Sequence, residues 1–580
     1  MTAGVADQGT EPVGKRASVP DLRQVTVWKE SSVAAGASLA PPITIDNGAA
    51  NGLFQAAMQE SDVITRVSVR QPARPTPIEW WALGVVLGMA AARLVVAGSA
   101  LLSADEAYYW QWTRPLQLSY YDHPAMVAYW IWGGIHLLGQ TALGVRIAGT
   151  VSALGVSILV WDAGRLAFRS RQAGALAALW LNCTVLFGSA GVVITPDAPL
   201  LLFWTLALWS LVRLFDSGRA AYLYAAGLAL GLGAISKYTM ALVIPGIVAT
   251  FLLFRPLRPW LRSRHAWLAV LLAGICTTPL LLWNLRNEFA SFHKQLGHAF
   301  DSGTVSPVKN LLAYLGTQVG LVTPLLLLFC LWGMAWALWA GWRRQRPAWF
   351  LLGATSLPVL AFFVHHTLSG VVQPHWSGPA YIGGVMAAAG AWATRSERPS
   401  WARLAFLAAP IVGAVMTGLV LFQAATALLP IPIKIDALKR LGGWDELAAA
   451  VEQERRLHPG AFLLTETHQP TGVVSFYLPD HAPVFVQGPI RPSYYTAAEV
   501  AALRGRDGIL ITRTKGQPAG SLAPSAAGLL PYFDRVTPLR TVILHWGGRP
   551  ADVYSLYLAE HYHGGLLTMG DGFPGALDKP

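Results

Sequence analysis

Apolar stretches of about twenty residues recur through the middle of the chain, separated by short polar segments. A helical stretch of that length spans the hydrocarbon core of a bilayer. The pattern therefore predicts a polytopic α-helical membrane protein with about eleven transmembrane helices. The predicted spans are 79–101, 142–167, 172–190, 197–214, 220–236, 238–254, 266–284, 308–341, 348–366, 376–393 and 402–428.

The pattern changes near residue 430, where apolar runs shorten to about six residues and polar residues return. Residues 445–457 have the periodicity of an amphipathic helix, and five short apolar runs predict strands. The strand candidates are 461–465, 483–487, 508–512, 541–545 and 553–558. We expect a small C-terminal α/β extracytoplasmic domain at 430–580.

The first 78 residues are rich in Ala, Gly, Pro and Ser and lack apolar periodicity. Such a segment cannot bury enough apolar surface to fold alone. We therefore interpret 1–78 as a disordered cytoplasmic tail and 79–429 as the transmembrane domain, with its first outer loop at 102–141.

Charged residues make up 13% of the chain, about half the share of a soluble domain, which is about 25%. The net charge of +12 does not indicate nucleic acid, because fifteen arginines between 165 and 403 fall on one set of loops and span ends. The positive-inside rule makes that side cytoplasmic. The three cysteines lie within apolar runs, which disfavours a disulfide framework.

Ionisable residues gather at the opposite ends of the spans, and such residues are functional candidates. Asp105 and Glu106 directly follow the first span. Ser103 and Glu106 fit a capping box, which explains Glu106 structurally but leaves Asp105 unexplained. A carboxylate held on a helix end at the membrane surface is suited to act as a general base.

The same outer loop contains Tyr121, Asp122 and His123. An adjacent acid and histidine suit a metal or a phosphate, and the alternative is a turn before a helix at 124–138. Asp197 begins a later span, where an acid also favours the helix dipole.

Lys237 lies between two outward-reaching apolar runs. It is a candidate for contact with an anionic headgroup or phosphate, and the alternative is snorkelling to the interface. Asn284 and His375 lie in further outer segments. Together these residues suggest an outward-facing cavity at headgroup depth that holds a lipid-linked anionic donor. Nucleotide-binding and HExxH motifs do not occur in the chain.

The motifs resemble those of the polyprenyl-phosphate-sugar-dependent membrane glycosyltransferases of the C-type fold. These include protein O-mannosyltransferases, the lipid A aminoarabinose transferase and lipopolysaccharide galacturonosyltransferases. The resemblance extends in motif order over about 80–395, and weakly to Gly442-Gly443-Trp444-Asp445. The motifs are Asp105-Glu106-Ala107-Tyr108-Tyr109-Trp110, Tyr121-Asp122-His123-Pro124, Thr195-Pro196-Asp197-Ala198-Pro199, Ser236-Lys237-Tyr238-Thr239 and Trp283-Asn284.

The resemblance implies catalytic roles for three acids. Asp105 would be the general base on the acceptor hydroxyl, Glu106 would support it, and Asp197 would be a second acid near the site. Lys237, His123, Tyr121 and Asn284 are assigned to the donor and its phosphate.

Two positions depart from the pattern of the relatives. His123 stands where the aminoarabinose transferases carry Lys, which leaves Lys237 as the better phosphate ligand. His375 stands where relatives tend to carry Asn. Asp122 and His375 are the candidate ligands of a divalent metal ion, although His375 also fits a simple hydrogen bond. In the C-terminal domain, 491–496 differs from the run that relatives carry there.

The predicted function is transfer of a sugar from a polyprenyl-phosphate donor by inverting direct displacement. The acceptor would be lipid A, lipopolysaccharide or another envelope glycan, at the periplasmic face of a bacterial inner membrane. A protein O-glycosyltransferase, a flippase for lipid-linked sugars and a phospholipid-headgroup transferase are alternatives. One-sided acids and the absence of an inverted repeat disfavour the flippase.

Overall fold

The structure is a computed structural model that describes residues 74–300, 306–395, 397–487, 497–514 and 522–567. Helices occupy the first part of these residues. Their bounds are α1 Pro77–Ser99, α2 Ala104–Gln111, α3 Met126–Leu138, α4 Ala142–Phe168, α5 Arg171–Asn182, α6 Val185–Gly188, α7 Asp197–Ser217, α8 Ala221–Ala234, α9 Ile244–Leu253, α10 Arg258–Leu261, α11 Arg264–Arg286, α12 Ala290–Phe300, α13 Pro307–Val322, α14 Pro324–Arg343, α15 Pro347–His366, α16 Gly378–Ala393 and α17 Ser400–Thr426, with 3-10 turns at Tyr238–Val243, Arg255–Leu257, Pro374–Ser377 and Ala437–Leu441.

Seven helices of the described residues are long and apolar enough to cross a membrane, or eight if a pair bent by 103° near Arg255 counts as one span. The polytopic helical fold is confirmed, but the count of eleven spans is not. Several predicted spans are shorter or broken helices, such as α8 with 14 residues.

The predicted span 308–341 is wrong as a single helix. It consists of α13 and α14, which meet at Thr323, where φ is 69°. Pro324 follows, and a proline disfavours helical geometry at the residue before it. Both ends of α13 bond to the segment after α15, through Asn310 Nδ2 to the Thr367 oxygen (3.2 Å) and Gln318 Nε2 to the Pro374 oxygen (2.9 Å).

The C-terminal part forms a five-stranded sheet of order β2-β1-β3-β5-β4. β1 pairs in parallel with β2 and β3, whereas β5 is antiparallel to β3 and β4. All five predicted strand positions are confirmed. The bounds are β1 Phe462–Thr465, β2 Val484–Val486, β3 Gly508–Arg513, β4 Phe533–Trp546 and β5 Arg549–Tyr562, with helices α18 Trp444–Leu457, α19 His468–Tyr477, α20 Ala497–Ala501 and α21 Pro524–Ala527.

The sheet is joined to the membrane helices through α2. Tyr108 and Trp110 of α2 share one hydrophobic core with Leu463 and Ile509 of the sheet. Gly472 of α19 lies so close to α2 that a Cβ atom there would be 2.6 Å from the carbonyl carbon of Ala107. The first outer loop is therefore part of the core of the sheet. We call the end of the helix bundle that carries α2 the α2 end.

Candidate active site

Asp105 lies in the first turn of α2, which begins with the expected capping box. Ser103 Oγ accepts a hydrogen bond from the Glu106 nitrogen (3.4 Å), and Glu106 Oε2 accepts one from the Ser103 nitrogen (2.9 Å). Asp105 takes no part in this box. Its side chain is exposed, and it forms no hydrogen bond or ion pair with the described residues. An accessible carboxylate is thus held on a rigid helix end.

The surroundings of Asp105 shift its affinity for protons. The Asp105 side chain is accessible, but the protein around it partly desolvates the carboxylate and so raises its pKa above its usual range, and the neighbouring Glu106 adds to this effect. Arg440 and His375 oppose it. A carboxylate with a raised pKa is a stronger base than an ordinary Asp, which suits it to accept a proton from a hydroxyl.

Glu106 is buried completely and forms an ion pair with Arg146 of α4. The two distances are 2.7 Å from Nε to Oε1 and 2.8 Å from Nη2 to Oε2. Glu106 Oε1 also accepts from the Ile194 nitrogen (3.0 Å). Arg146 donates to the carbonyls of Ala97, Ala100 and Leu101 as well. This clamp joins α1, α2 and α4 to the segment that leads into Asp197.

Asp197 forms the centre of a second cluster. Lys237 Nζ lies 2.8 Å from both Asp197 carboxylate oxygens, and His375 Nε2 lies 3.4 Å from Oδ2. The Lys237 ammonium also lies 5.6 Å from the centre of the Trp376 ring. Three of the residues predicted from sequence therefore come together at the α2 end.

Asp122 forms the centre of a third cluster. Its carboxylate accepts a hydrogen bond from the Tyr108 hydroxyl and forms an ion pair with Lys294 of α12. The Lys294 ammonium lies 4.5 Å from the centre of the Tyr121 ring. The His123 ring contacts Tyr109, with 6.2 Å between ring centres. Sequence reasoning did not select Lys294, although it is one of the few cations in the outer loops.

Hydrogen bonds join the residue after Lys237 to α12, the helix that carries Lys294. Ser291 Oγ donates to Asn284 Oδ1 (2.8 Å), and it is 2.6 Å from the hydroxyl of Tyr238, the residue after Lys237. Asn284 Nδ2 donates to the Leu280 oxygen (3.0 Å). Asn284 thus fixes the start of α12, which carries Lys294.

Arg440 approaches Asp105 from the segment between α17 and the sheet. Buried Asp436 caps the 3-10 turn of this segment, accepting from the Leu438 nitrogen (2.9 Å), from Gln423 Nε2 (2.7 Å) and from Trp546 Nε1 (2.8 Å). The Arg440 guanidinium forms no hydrogen bond or ion pair with the residues that the structure describes. The segment ends in Gly443, which has φ 79°.

The candidate metal ligands belong to different clusters. His375 contacts Asp197, whereas Asp122 contacts Tyr108 and Lys294. Within the described ranges, no group of three or more His, Cys, Asp or Glu side chains is arranged to hold a metal ion. A metal site built on Asp122 and His375 stays a prediction. The run 491–496 lies outside the described residues.

Comparisons with known proteins identify several proteins that this chain resembles. A family model described as dolichyl-phosphate-mannose-protein mannosyltransferase matches residues 122–283. The lipid A galacturonosyltransferase RgtD of Rhizobium johnstonii is 25% identical over 327 residues, which cover 55% of this chain and 67% of the relative. The undecaprenyl phosphate-alpha-4-amino-4-deoxy-L-arabinose arabinosyl transferase 2 of Pseudomonas fluorescens is 30% identical over 33% of this chain and 37% of the relative.

Solved structures show a shared fold. The structure of ArnT from Cupriavidus metallidurans bound to undecaprenyl phosphate matches with a TM-score of 0.59 at 16% identity. The match covers 82% of this chain and 98% of that one. The apo structure of the same protein gives a TM-score of 0.58.

Proposed function

We propose that this chain, a polyprenyl-phosphate-sugar-dependent membrane glycosyltransferase of the C-type fold, transfers one sugar from an undecaprenyl-phosphate donor to a glycolipid acceptor. One arrangement supports this most directly. An accessible carboxylate, Asp105, stands beside a cluster that holds a buried lysine, Lys237, and a second lysine, Lys294, lies nearby. That combination provides a base for an acceptor and positive charge for a departing phosphate.

In the proposed reaction, Asp105 takes the proton of an acceptor hydroxyl. The acceptor oxygen then forms a bond to the anomeric carbon while the bond from that carbon to the phosphate oxygen breaks. Lys237 and Lys294 stabilise the negative charge of the polyprenyl phosphate that leaves. The single displacement inverts the anomeric centre, and no covalent intermediate is needed because the phosphate is already a good leaving group.

Glu106 and Arg146 act differently in this proposal. Glu106 bonds to Arg146 and to the Ile194 nitrogen, and its side chain is inaccessible. Glu106 is therefore a positioning residue that holds α2, and with it Asp105, at a fixed distance from the segment before Asp197.

The relatives support a glycolipid acceptor. One is named for lipid A and another for an aminoarabinose donor on undecaprenyl phosphate. We place the α2 end and the sheet on the periplasmic side of an inner membrane, because the arginine-rich loops lie at the other end. The boundary near residue 430 would then separate the transmembrane and periplasmic domains.

Mass spectrometry of envelope lipids tests this function. Deleting the gene should remove one sugar mass from a glycolipid, and the wild-type gene should restore it. The Asp105→Asn variant, produced at the same level, should not restore it. An unchanged glycolipid profile would contradict the proposal, and loss of a sugar from a protein would favour an O-glycosyltransferase.

Lysine replacements should weaken donor binding. We expect Lys294→Met and Lys237→Met each to raise the KM for the lipid donor by about ten- to a hundredfold. Each variant removes the proposed hydrogen bond from an ammonium group to the donor phosphate, and a hydrogen bond to a charged group contributes about 1.5–3 kcal/mol. Initial rates at varied donor concentration measure this. Lys309→Met, which removes an exposed lysine at the start of α13, is the matched control.

A lysine replacement also leaves a buried carboxylate without its cation. The Lys294→Met/Asp122→Asn double variant separates the two effects. If the double variant recovers a normal donor KM, Lys294 only neutralises Asp122, and its proposed contact with phosphate is wrong.

Removing Arg440 should change the pH profile. Arg440 lowers the pKa of Asp105, so Arg440→Gln should raise that pKa. A base works only when deprotonated; hence the acidic limb of kcat/KM against pH should move to higher pH. Lys434→Gln replaces an exposed lysine of the same segment and should leave the acidic limb of the pH profile in place. If Arg440→Gln also leaves the acidic limb in place, the role of Asp105 as the base is contradicted.

A further inference from the structure

Residues of three helices line a cavity at the other end of the bundle. α4 extends over 27 residues from Ala142 to Phe168, a length of about 40 Å, and carries Arg146 of the clamp in the part that lies at the α2 end. Beyond its last turn lies a cavity of about 380 Å³. The cavity is lined by Arg165, Leu166, Arg169, Ser170, Arg171 and Asp216.

Two of these arginines are fixed by acids outside the lining. Asp162 accepts from Arg165 Nη2 (2.6 Å) and from Arg213 Nη2 (2.5 Å). Glu79 of α1 accepts from Arg171 Nε (2.8 Å). Arg171 keeps 43% of its side chain exposed and Arg165 keeps 41%. The acids thus orient these cations while leaving them accessible.

Arg169 differs from the other two. It ends α4 in a left-handed conformation, with φ 49°, and its side chain is exposed. In the part of the chain that the structure describes, its guanidinium has no hydrogen bond or ion pair. The lining therefore has three positive charges and one negative charge, and one cation is available for a ligand.

The cavity lies at headgroup depth. Glu79, which holds Arg171, is followed directly by Trp80 and Trp81, which are 59% and 71% exposed. Exposed tryptophans at the end of a transmembrane helix mark the interface between the acyl chains and the headgroups. The cavity also lies at the N-terminus of α5, where the helix dipole favours an anion.

We propose that this cavity binds the phosphate headgroup of an anionic phospholipid. Arginines pair with phosphate through two parallel hydrogen bonds, and basic pockets between membrane helices are suited to anionic headgroups. Arginines that only set the orientation of a membrane protein do not need to share a cavity. In this protein three arginines line the same cavity between helices. A cavity at this depth admits a headgroup while the acyl chains stay in the bilayer.

Lipid titration of the purified, delipidated full chain tests this proposal. Phosphatidylglycerol should bind, measured by native mass spectrometry and by a rise in Tm. Phosphatidylcholine should bind at least about tenfold more weakly, because its quaternary ammonium group cancels the charge of its phosphate and is repelled by the three arginines. Arg169→Asn should weaken phosphatidylglycerol binding by a similar factor. Asn tolerates the left-handed conformation and no ion pair is broken, so the fold should persist.

Two controls make the result decisive. Arg262→Asn removes another exposed arginine and should leave lipid binding unchanged, and Arg169→Lys should retain part of it. Equal binding of the two lipids, or equal effects of Arg169→Asn and Arg262→Asn, would overturn the proposal. Inorganic phosphate at millimolar concentration should not displace the lipid; displacement would identify a soluble anion as the ligand instead.

Discussion

Replacing Asp105 with Asn should lower kcat by about 10²–10⁴-fold, the range that general base catalysis contributes. The amide has the shape of the carboxylate but cannot take the acceptor proton. Asp105 forms no hydrogen bond or ion pair with the described residues, so the replacement removes no structural contact. The Tm and the KM for the donor should therefore stay close to the wild-type values.

Single-turnover transfer from an undecaprenyl-phosphate sugar in lipid nanodiscs measures this effect. Asp480→Asn, which removes an exposed acid of the sheet region paired with Arg455, is the control and should transfer at the wild-type rate. If Asp105→Asn retains near-wild-type kcat, another group is the base. Asp197 and Asp122 would then be the acids to replace next.

Replacing Arg146 with Met should destabilise the protein by about 3–5 kcal/mol, the usual cost of breaking a buried ion pair from one side. The side chains of Arg146 and Glu106 are both fully inaccessible. The variant leaves the Glu106 carboxylate in the interior, where the described residues still provide two backbone N–H donors, those of Ser103 and Ile194. Thermal unfolding in detergent should show a large drop in Tm.

The double variant Glu106→Gln/Arg146→Met separates the charge from the packing. It removes both charges, so it should be more stable than the sum of the two single effects indicates. Arg535→Met, which breaks an exposed ion pair with Glu560, should leave the Tm unchanged. Strictly additive effects in the double variant would mean that the clamp is not a coupled unit.

The residues that we propose to face the donor could be placed at one end of the bundle from sequence, because each transmembrane span has two ends on opposite sides of the membrane. Each of three residues, Asp105, Asp197 and Lys237, borders an apolar run, and the order of the runs predicts that all three lie at the same end of the helix bundle. The structure has all three at the α2 end. Which residues pair was not predictable, because the pairing depends on packing between segments far apart in sequence. Glu106 and Arg146 are 40 positions apart.

Other features of the structure leave signals in the sequence. Arg146 stands inside a predicted span, and a charge in an apolar run indicates a buried partner. Thr323-Pro324 marks the break within 308–341. The predicted strands 541–545 and 553–558 are shorter than β4 and β5. Along β4 exposed residues alternate with buried ones, so that only its most apolar part predicts a strand.

The close contact between Gly472 and Ala107 limits how this protein can be recombined with its relatives. Specificity is often transferred by grafting one soluble domain onto another membrane scaffold. Here the core of the sheet contains side chains of α2, and a graft that begins at residue 430 would cut through that core. A chimaera should keep 102–141 and 430–567 from the same parent, because these two segments, separated by nearly three hundred residues of chain, form the unit that can be exchanged.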